Sequence, residues 1–456
     1  MGGESSSRVS SISKFFFSHL AMLESPQIIP FQPLNGIPMK IFSLKNILSL
    51  VGVMGLMMSY SANAMLNMEL NRGVLGAIPV SVSPFEGNEV APQSIATIVS
   101  NDLQNSGRIK LSKQEADYVV VGKVTPAGAD RYQVSFSLKD GMSHAQGRTS
   151  LVSKKYTVSS QELRTVSHHI SDLVYQTITG TRGVFSTKIA YVVVGYDETG
   201  HKRYTLEVAD QDGYGPHTLL RSPEPIMSPS WAPNGRQIAY VSFEHHAAGI
   251  YIQNVITGER TLVSHMQGIN GAPAFSPDGR RLALVLSTNG TPNIYVMDIA
   301  SHHLTEMTHD FYINTEPAWS PNGRSLLFTS NRSGGPQIYQ LNLQTRAVSR
   351  MTYDGNYNAR ASYTPDGNHI AMIHSVSGVY SIGILDLDSG TMRVLSGRSN
   401  DSASPSMAPN GSMVLYDTAM GSRNVLGMVS VDGRVQLTIP ARNGDAQDPA
   451  WSPYLS

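Results

Sequence analysis

The sequence predicts a two-domain α+β protein: a small N-terminal α/β domain over residues 65–183, then a six-bladed β-propeller over 184–456 closed by a composite blade. Three observations carry this. A seven-residue motif returns at an unvarying spacing of 44 residues, at Pro229, Pro273, Pro317, Ala361, Pro405 and Pro449. Helical periodicity is confined to the stretch before Gly183. Glycine (40) and proline (25) are plentiful while charged residues make up only 15%, a balance that favours short strands and tight turns.

At 456 residues the chain suits two domains plus processing sequence. Lys+Arg and Asp+Glu both number 34, so the net charge is zero. A nucleic-acid binder needs a basic excess to displace counterions from phosphates, and no run of Lys or Arg supplies one. Nucleic acid is excluded as a partner. Cysteine is absent, which removes disulfides, thiolate metal sites and cysteine nucleophiles.

The compartment is read from the N-terminal region. Lys40 and Lys45 precede an apolar run from Ile47 to Met58 and then Ser61-Ala62-Asn63-Ala64. This is the charged, apolar and small-residue order of a secretory signal over 39–64, with cleavage after Ala64. The run is too short for a membrane span, which needs about 20 apolar residues. Residues 1–38 read as a disordered or mis-started extension. The mature chain is expected to be exported to the periplasm without membrane insertion.

In the first domain, Ile78–Phe85 reads as a strand. Ile95, Ile98, Val99 and Leu103 recur at helical spacing and are closed by Gly107. Tyr118–Val124 and Arg131–Asp140 read as strands. A second helix opens on a capping box at Ser159–Glu162, carries Leu163, Val166, Ile170, Leu173, Val174 and Ile178 on one stripe, and stops at Gly180. The order β-α-β-β-β-α predicts helices packed on one sheet. His168 and His169 sit beside the stripe and are expected at the surface or its boundary, since adjacent helical residues cannot both face one metal.

In the second domain each motif joins a turn to an apolar strand, as in Pro277-Asp278-Gly279 before Leu282-Ala283-Leu284. Further strands follow, as at Ile294–Asp298 and Leu304–Thr308. Four short strands in 44 residues make a propeller blade. The motif aromatics Trp231, Phe275, Trp319, Tyr363 and Trp451 are expected between blades. The sixth copy begins at Pro449 and lacks its following strands, while Lys188–Val193 supplies a strand with no motif before it. A hydrogen-bonded seam between these segments closes the ring and removes an open edge.

No catalytic pattern is present: no Gly-x-Ser-x-Gly, His-Glu-x-x-His, Walker loop or dinucleotide fingerprint. The histidines share no repeat position. Asp278 and Asp366 are turn residues, replaced by asparagine in other copies. An enzyme is therefore not expected, and no metal or cofactor. Asn270, Asn314 and Asn358 each stand three residues before a motif, in loops that feed the innermost strands. Asparagine serves turns as well as binding surfaces, and both readings stay open.

With these residues in view, the chain resembles the TolB family, the propeller proteins of the Tol-Pal cell-envelope system. The resemblance rests on Ile78–Phe85, Ala116–Gly122, Gly183–Tyr191, Gly271–Gly279 and the closing Pro449–Leu455. It implies a non-enzymatic periplasmic hub, monomeric within a protein complex, that supports outer-membrane integrity and constriction during cell division. It further implies that the lipoprotein Pal binds at the propeller mouth, through Asn270, Gly271, Ala272, Asn314, Thr315, Glu316, Asn358 and Arg360. The C-terminal domain of TolA would meet the mature N-terminus at Met65, Leu66, Asn67, Met68, Glu69 and Leu70. That segment is more apolar than the resemblance implies. The rival expectation is a propeller enzyme or accessory domain of lyase or peptidase type, which needs a His/Arg/Glu cluster inside the channel.

Overall fold

The computed structural model describes residues 67–70 by their backbone and 76–141, 149–397, 401–439 and 444–455 in full. The extension over 1–38, the signal peptide over 39–64, and Met65 and Leu66 lie outside the described residues.

After a short strand β1 (Asn67–Leu70), the N-terminal domain contains β2 (Ile78–Val82), α1 (Ile95–Asn105), β3 (Ile109–Leu111), β4 (Tyr118–Pro126), β5 (Arg131–Asp140), β6 (Ser150–Ser159) and α2 (Leu163–Thr179). The short β3, parallel to β2, adds a strand to the expected order. The sheet runs β3-β2-β4-β5-β6. Val80, Val120, Val134 and Leu138 of the sheet share one core with Val99 and Leu103 of α1 and with Leu163, Ile170 and Val174 of α2. Burial of these two stripes drives the layering.

Helix ends follow local chemistry. Ser94 Oγ accepts from Thr97 N at 3.3 Å to cap α1, and Gly107 beyond its end has φ +67°. At α2 only half of the expected capping box forms. Glu162 Oε2 accepts from Ser159 N at 2.8 Å, but no serine caps the helix, because Glu162 itself occupies the cap position. His168 corrects an expectation: it is 2% exposed, held by charges described below. His169 is exposed and packs edge-on against Tyr156.

Among the described residues the rest of the chain forms six blades around an axis. Blade 1 is the seam: Asp445–Trp451 is its innermost strand, followed outward by Lys188–Tyr196, Lys202–Asp210 and His217–Ser222. Ala450 pairs with Ala190 and Trp451 with Ile189, antiparallel. The seam begins at Asp445, four residues earlier than its motif. Blades 2 to 6 start with Ile226–Trp231, Asn270–Phe275, Asn314–Trp319, Tyr357–Tyr363 and Ser402–Met407. The motif aromatics do stand between blades. Trp319 Nε1 donates to Ala274 O of the preceding blade at 3.0 Å, and Trp231 Nε1 to Ala450 O at 3.1 Å.

Two contacts position the function. β1 pairs antiparallel with Val435–Ile439, the outer strand of blade 6, and makes that blade five-stranded. The N-terminal domain meets the propeller on the face that carries the motif turns, where Asn410 Nδ2 donates to Arg182 O at 3.0 Å and Tyr454 OH to the same oxygen at 3.3 Å. The innermost strands begin on the opposite face.

Candidate partner-binding face

Each innermost strand bulges once, at one repeat position. In blade 2, Ser228 and Pro229 lie opposite the single Tyr240, and the same register shift recurs in the other five blades. The bulged residues are Ser228, Ala272, Glu316, Arg360, Ser404 and Asp448, all with φ between +45° and +58°. None is glycine, so each blade carries backbone strain. A bulge re-aims the side chain it carries, and here five polar side chains and Ala272 form a ring at the channel.

Arg360 sits at its centre, with Nη1 donating to Asp448 Oδ1 and to Ser404 Oγ, both at 2.7 Å. Ser404 Oγ donates to Asp448 Oδ1 at 3.0 Å, and Asp448 Oδ2 accepts from Ser228 N at 3.2 Å. Glu316 Oε2 accepts from Thr329 Oγ1 at 2.8 Å. Burial raises the Glu316 carboxyl against the pull of Arg360. Burial also opposes ionisation of Asp448, but Arg360 and the hydrogen bonds outweigh it and hold that carboxyl low. Below the ring lies a cavity of about 460 Å³, lined by the motif prolines and by Trp231, Trp319 and Trp451.

The implied mouth residues separate into three groups. Ala272, Glu316 and Arg360 belong to the ring. Gly271 and Thr315 are the strand residues just before it. The three asparagines are buried, at 1% exposure or less, so their side chains do not form the surface. Asn270 Nδ2 donates to Met266 O at 2.7 Å while its Oδ1 accepts from Met266 N at 2.9 Å. Asn314 Nδ2 reaches Asp310 Oδ1 at 2.7 Å and Asn293 Oδ1 at 2.9 Å. Asn358 Nδ2 donates to Asp354 O at 2.8 Å. Each asparagine ties down the loop before its own strand, which is the turn reading.

Those loops present what sequence reasoning missed. Phe311 is 98% exposed and Tyr353 73%, beside partly exposed Tyr312 and Met266. Val376 (63%), Val379 and Met420 are exposed on neighbouring hairpins of the same face. Arg332 stiffens the Phe311 loop: its Nη2 donates to Asp310 Oδ2 and to Asn314 Oδ1, each at 2.9 Å. Aromatic residues held out in water on neighbouring loops make this face the candidate surface for a protein partner. They recur at no common repeat position, so a search by periodicity passes over them. Among the described residues the one group with metal-ligand geometry is Asp102, His168 and Asp212, outside this face.

The chain matches the model of the TolB beta propeller domain over residues 175–455 and that of the TolB amino-terminal domain over 66–115. It is 48% identical over 239 residues to the Tol-Pal system protein TolB of Coxiella burnetii, a match covering 47% of this chain and 53% of that relative. It is 42% identical over 249 residues to the same-named protein of Nitrosococcus oceani, covering 49% and 56%. The chain thus spans about half the length of the curated relatives it matches. The crystal structure of TolB from Acinetobacter baumannii superposes with a TM-score of 0.77 at 36% identity, covering 85% of this chain and 100% of that one. With the propeller match spanning well over half of its residues, this chain belongs to the TolB family.

Proposed function

We propose that the protein is a non-enzymatic periplasmic hub of a Tol-Pal system, exported by the segment over 39–64, that holds the lipoprotein Pal at the propeller mouth and offers its mature N-terminus to TolA. The observation that carries this is the apolar surface of Phe311, Tyr312 and Tyr353, set on loops tied by buried asparagines, with Val376 on a neighbouring hairpin. Rigid loops bind a partner at low ordering cost. The ring residues Glu316 and Arg360, with Gly271, Ala272 and Thr315, form the floor of the same mouth. In a family of envelope proteins, this reading implies a role in outer-membrane integrity and in constriction during division.

The N-terminal segment has a second partner available within its own chain. Asn67–Leu70 pairs with the outer strand of blade 6, and four residues of strand cost little to release. TolA would compete with that edge for the same segment. If Pal stabilises the docked form, each partner weakens the other by reciprocal coupling.

The test is titration calorimetry of the mature protein with the soluble domain of Pal, and separately with the C-terminal domain of TolA. Phe311→Ala combined with Tyr353→Ala is expected to weaken Pal binding at least tenfold and leave the melting temperature unchanged. Absence of Pal binding to the wild type would refute the function. TolA affinity that is equal with and without Pal would refute the coupling.

A further inference from the structure

A second polar centre lies far from the mouth, where the N-terminal domain meets the propeller. His168 of α2 directs Nδ1 at Asp102 Oδ2 of α1 at 2.8 Å, and Ser171 Oγ donates to that same oxygen at 2.6 Å. The other ring nitrogen, Nε2, is buried without a hydrogen-bond partner. Among the described residues the carboxylate beside it is Asp210 Oδ2 of the propeller, at 3.8 Å.

The surrounding charges come from every element packed there. Arg164, one turn before His168 on α2, donates from Nε to Asp210 Oδ2 at 2.9 Å, and pairs through Nη2 with Asp212. Its guanidinium also lies 3.9 Å from the Tyr214 ring centre. Lys188 of blade 1 pairs with Asp210. Asp172 of α2 accepts instead from Phe185 N at 2.8 Å and Ser186 N at 3.2 Å, fastening the connecting segment. Among the described residues, Asp102, Asp210 and Asp212 face Arg164 and Lys188, which leaves these three carboxylates one positive charge short.

We propose that His168 supplies that charge as an imidazolium, and that it pins the N-terminal domain to the propeller between Asp102 on its own side and Asp210 across the interface. A doubly protonated ring has a donor on each nitrogen, which matches a carboxylate on each side. Burial works to lower the affinity of the ring for its proton, but the charge and hydrogen bond of Asp102, with Asp210 and Asp212, raise its pKa to about 10. Asp210 is held well below the ordinary carboxylate range despite its burial, by His168 and Lys188. The sign follows from linkage: with the folded pKa raised above 6.5, the clamp is complete below pH 6.5 and is lost as pH rises through about 10.

A divalent cation is the competing occupant, since the oxygen and nitrogen atoms of Asp102, His168 and Asp212 lie within 4.8 Å of one another. Arg164 already occupies Asp210 and Asp212, and a divalent ion beside it would leave the centre with excess positive charge. The proton closes the balance without repulsion.

Histidine-selective nitrogen-15 NMR of the mature chain tests this, with the signal assigned by its loss in His168→Asn. One imidazole should remain doubly protonated at pH 8.5. Asp210→Asn, a change in the other domain, should move its midpoint down by at least one pH unit. Asp212→Asn serves as the second variant should Asp210→Asn fold poorly, and should shift the midpoint the same way. A His168 midpoint near 6.5, or one that neither variant moves, overturns the clamp. Saturable zinc binding to the wild type that Asp102→Asn and Asp212→Asn abolish would also overturn it, in favour of a metal centre.

Discussion

Arg360 of blade 5 donates to Asp448 of blade 1 at 2.7 Å, so a single ion pair passes over blade 6 and ties two non-adjacent blades across the channel. Both groups are largely withdrawn from water, with side-chain exposures of 22% and 13%. Removing one partner of such a pair strands the other charge. Arg360→Met is expected to cost about 3–5 kcal/mol in urea unfolding. Adding Asp448→Asn should recover part of this, because the stranded carboxylate is then gone.

Asp417, on the second strand of blade 6, responds to pH in the opposite sense to a paired carboxylate. Burial pushes its carboxyl up to about 6, and Asp448 adds to this against Ser404 and Arg360. Its Oδ1 has no partner among the described residues. A folded pKa above the ordinary 3.8 means that stability falls as pH rises from about 4 to about 6. Asp417→Asn should match the wild type at pH 4 and exceed it at pH 7.5 by on the order of 2–3 kcal/mol. Urea melts at the two pH values check this.

The seam is the closure of the ring. Truncation before Pro449 removes the pairing of Ala450 and Trp451 with blade 1 and the bond from Trp451 Nε1 to Thr187. Burial of a tryptophan alone is worth about 3–5 kcal/mol, so the melting temperature should fall by roughly 10 °C. An unchanged melting curve would refute the seam as the source of closure.

Gly107 separates backbone demand from packing at the domain interface. Its φ is +67°, and an added Cβ would stand 2.0 Å from Val435 Cγ2 of blade 6. Gly107→Ala should therefore loosen the domains and raise hydrogen exchange at α1 and at Val435–Ile439. Gly258→Ala, with similar φ and nothing nearby, isolates the backbone strain and should leave exchange at the interface unchanged.

Asn314 and Phe311 distinguish scaffold from surface. Asn314→Ala leaves Asp310, Asn293 and Arg332 without their shared partner, and should lower stability by about 1–3 kcal/mol. Phe311→Ala removes a side chain that touches water, and should leave stability within about 0.5 kcal/mol. Paired melts and Pal titrations separate the two effects.

The propeller was legible because its information is periodic: one turn and one apolar strand, repeated in register. The seam followed from counting, since an unfinished copy at Pro449 needed the strands beginning at Lys188. The asparagines at 270, 314 and 358 were legible as a position but not as a role, because a side chain that ties a loop and one that touches a partner occupy the same place in a repeat. Phe311 and Tyr353 were silent because exposure is decided by the loop geometry that those buried asparagines impose. His168 was misread for a related reason. Its neighbours Asp102 and Asp210 lie 66 and 42 positions away in the chain; the packing of α1 on α2 brings the first charge to it, and the docking of two domains brings the second.

The sixfold bulge has a consequence for how such a channel changes over time. Backbone geometry at 228, 272, 316, 360, 404 and 448 is nearly the same in every blade, while the side chains are serine, alanine, glutamate, arginine, serine and aspartate. Architecture and chemistry are thereby uncoupled at those positions. A ring of interchangeable sockets lets the lumen be rewired one blade at a time, with selection acting on its charge while the surrounding sheets keep their register.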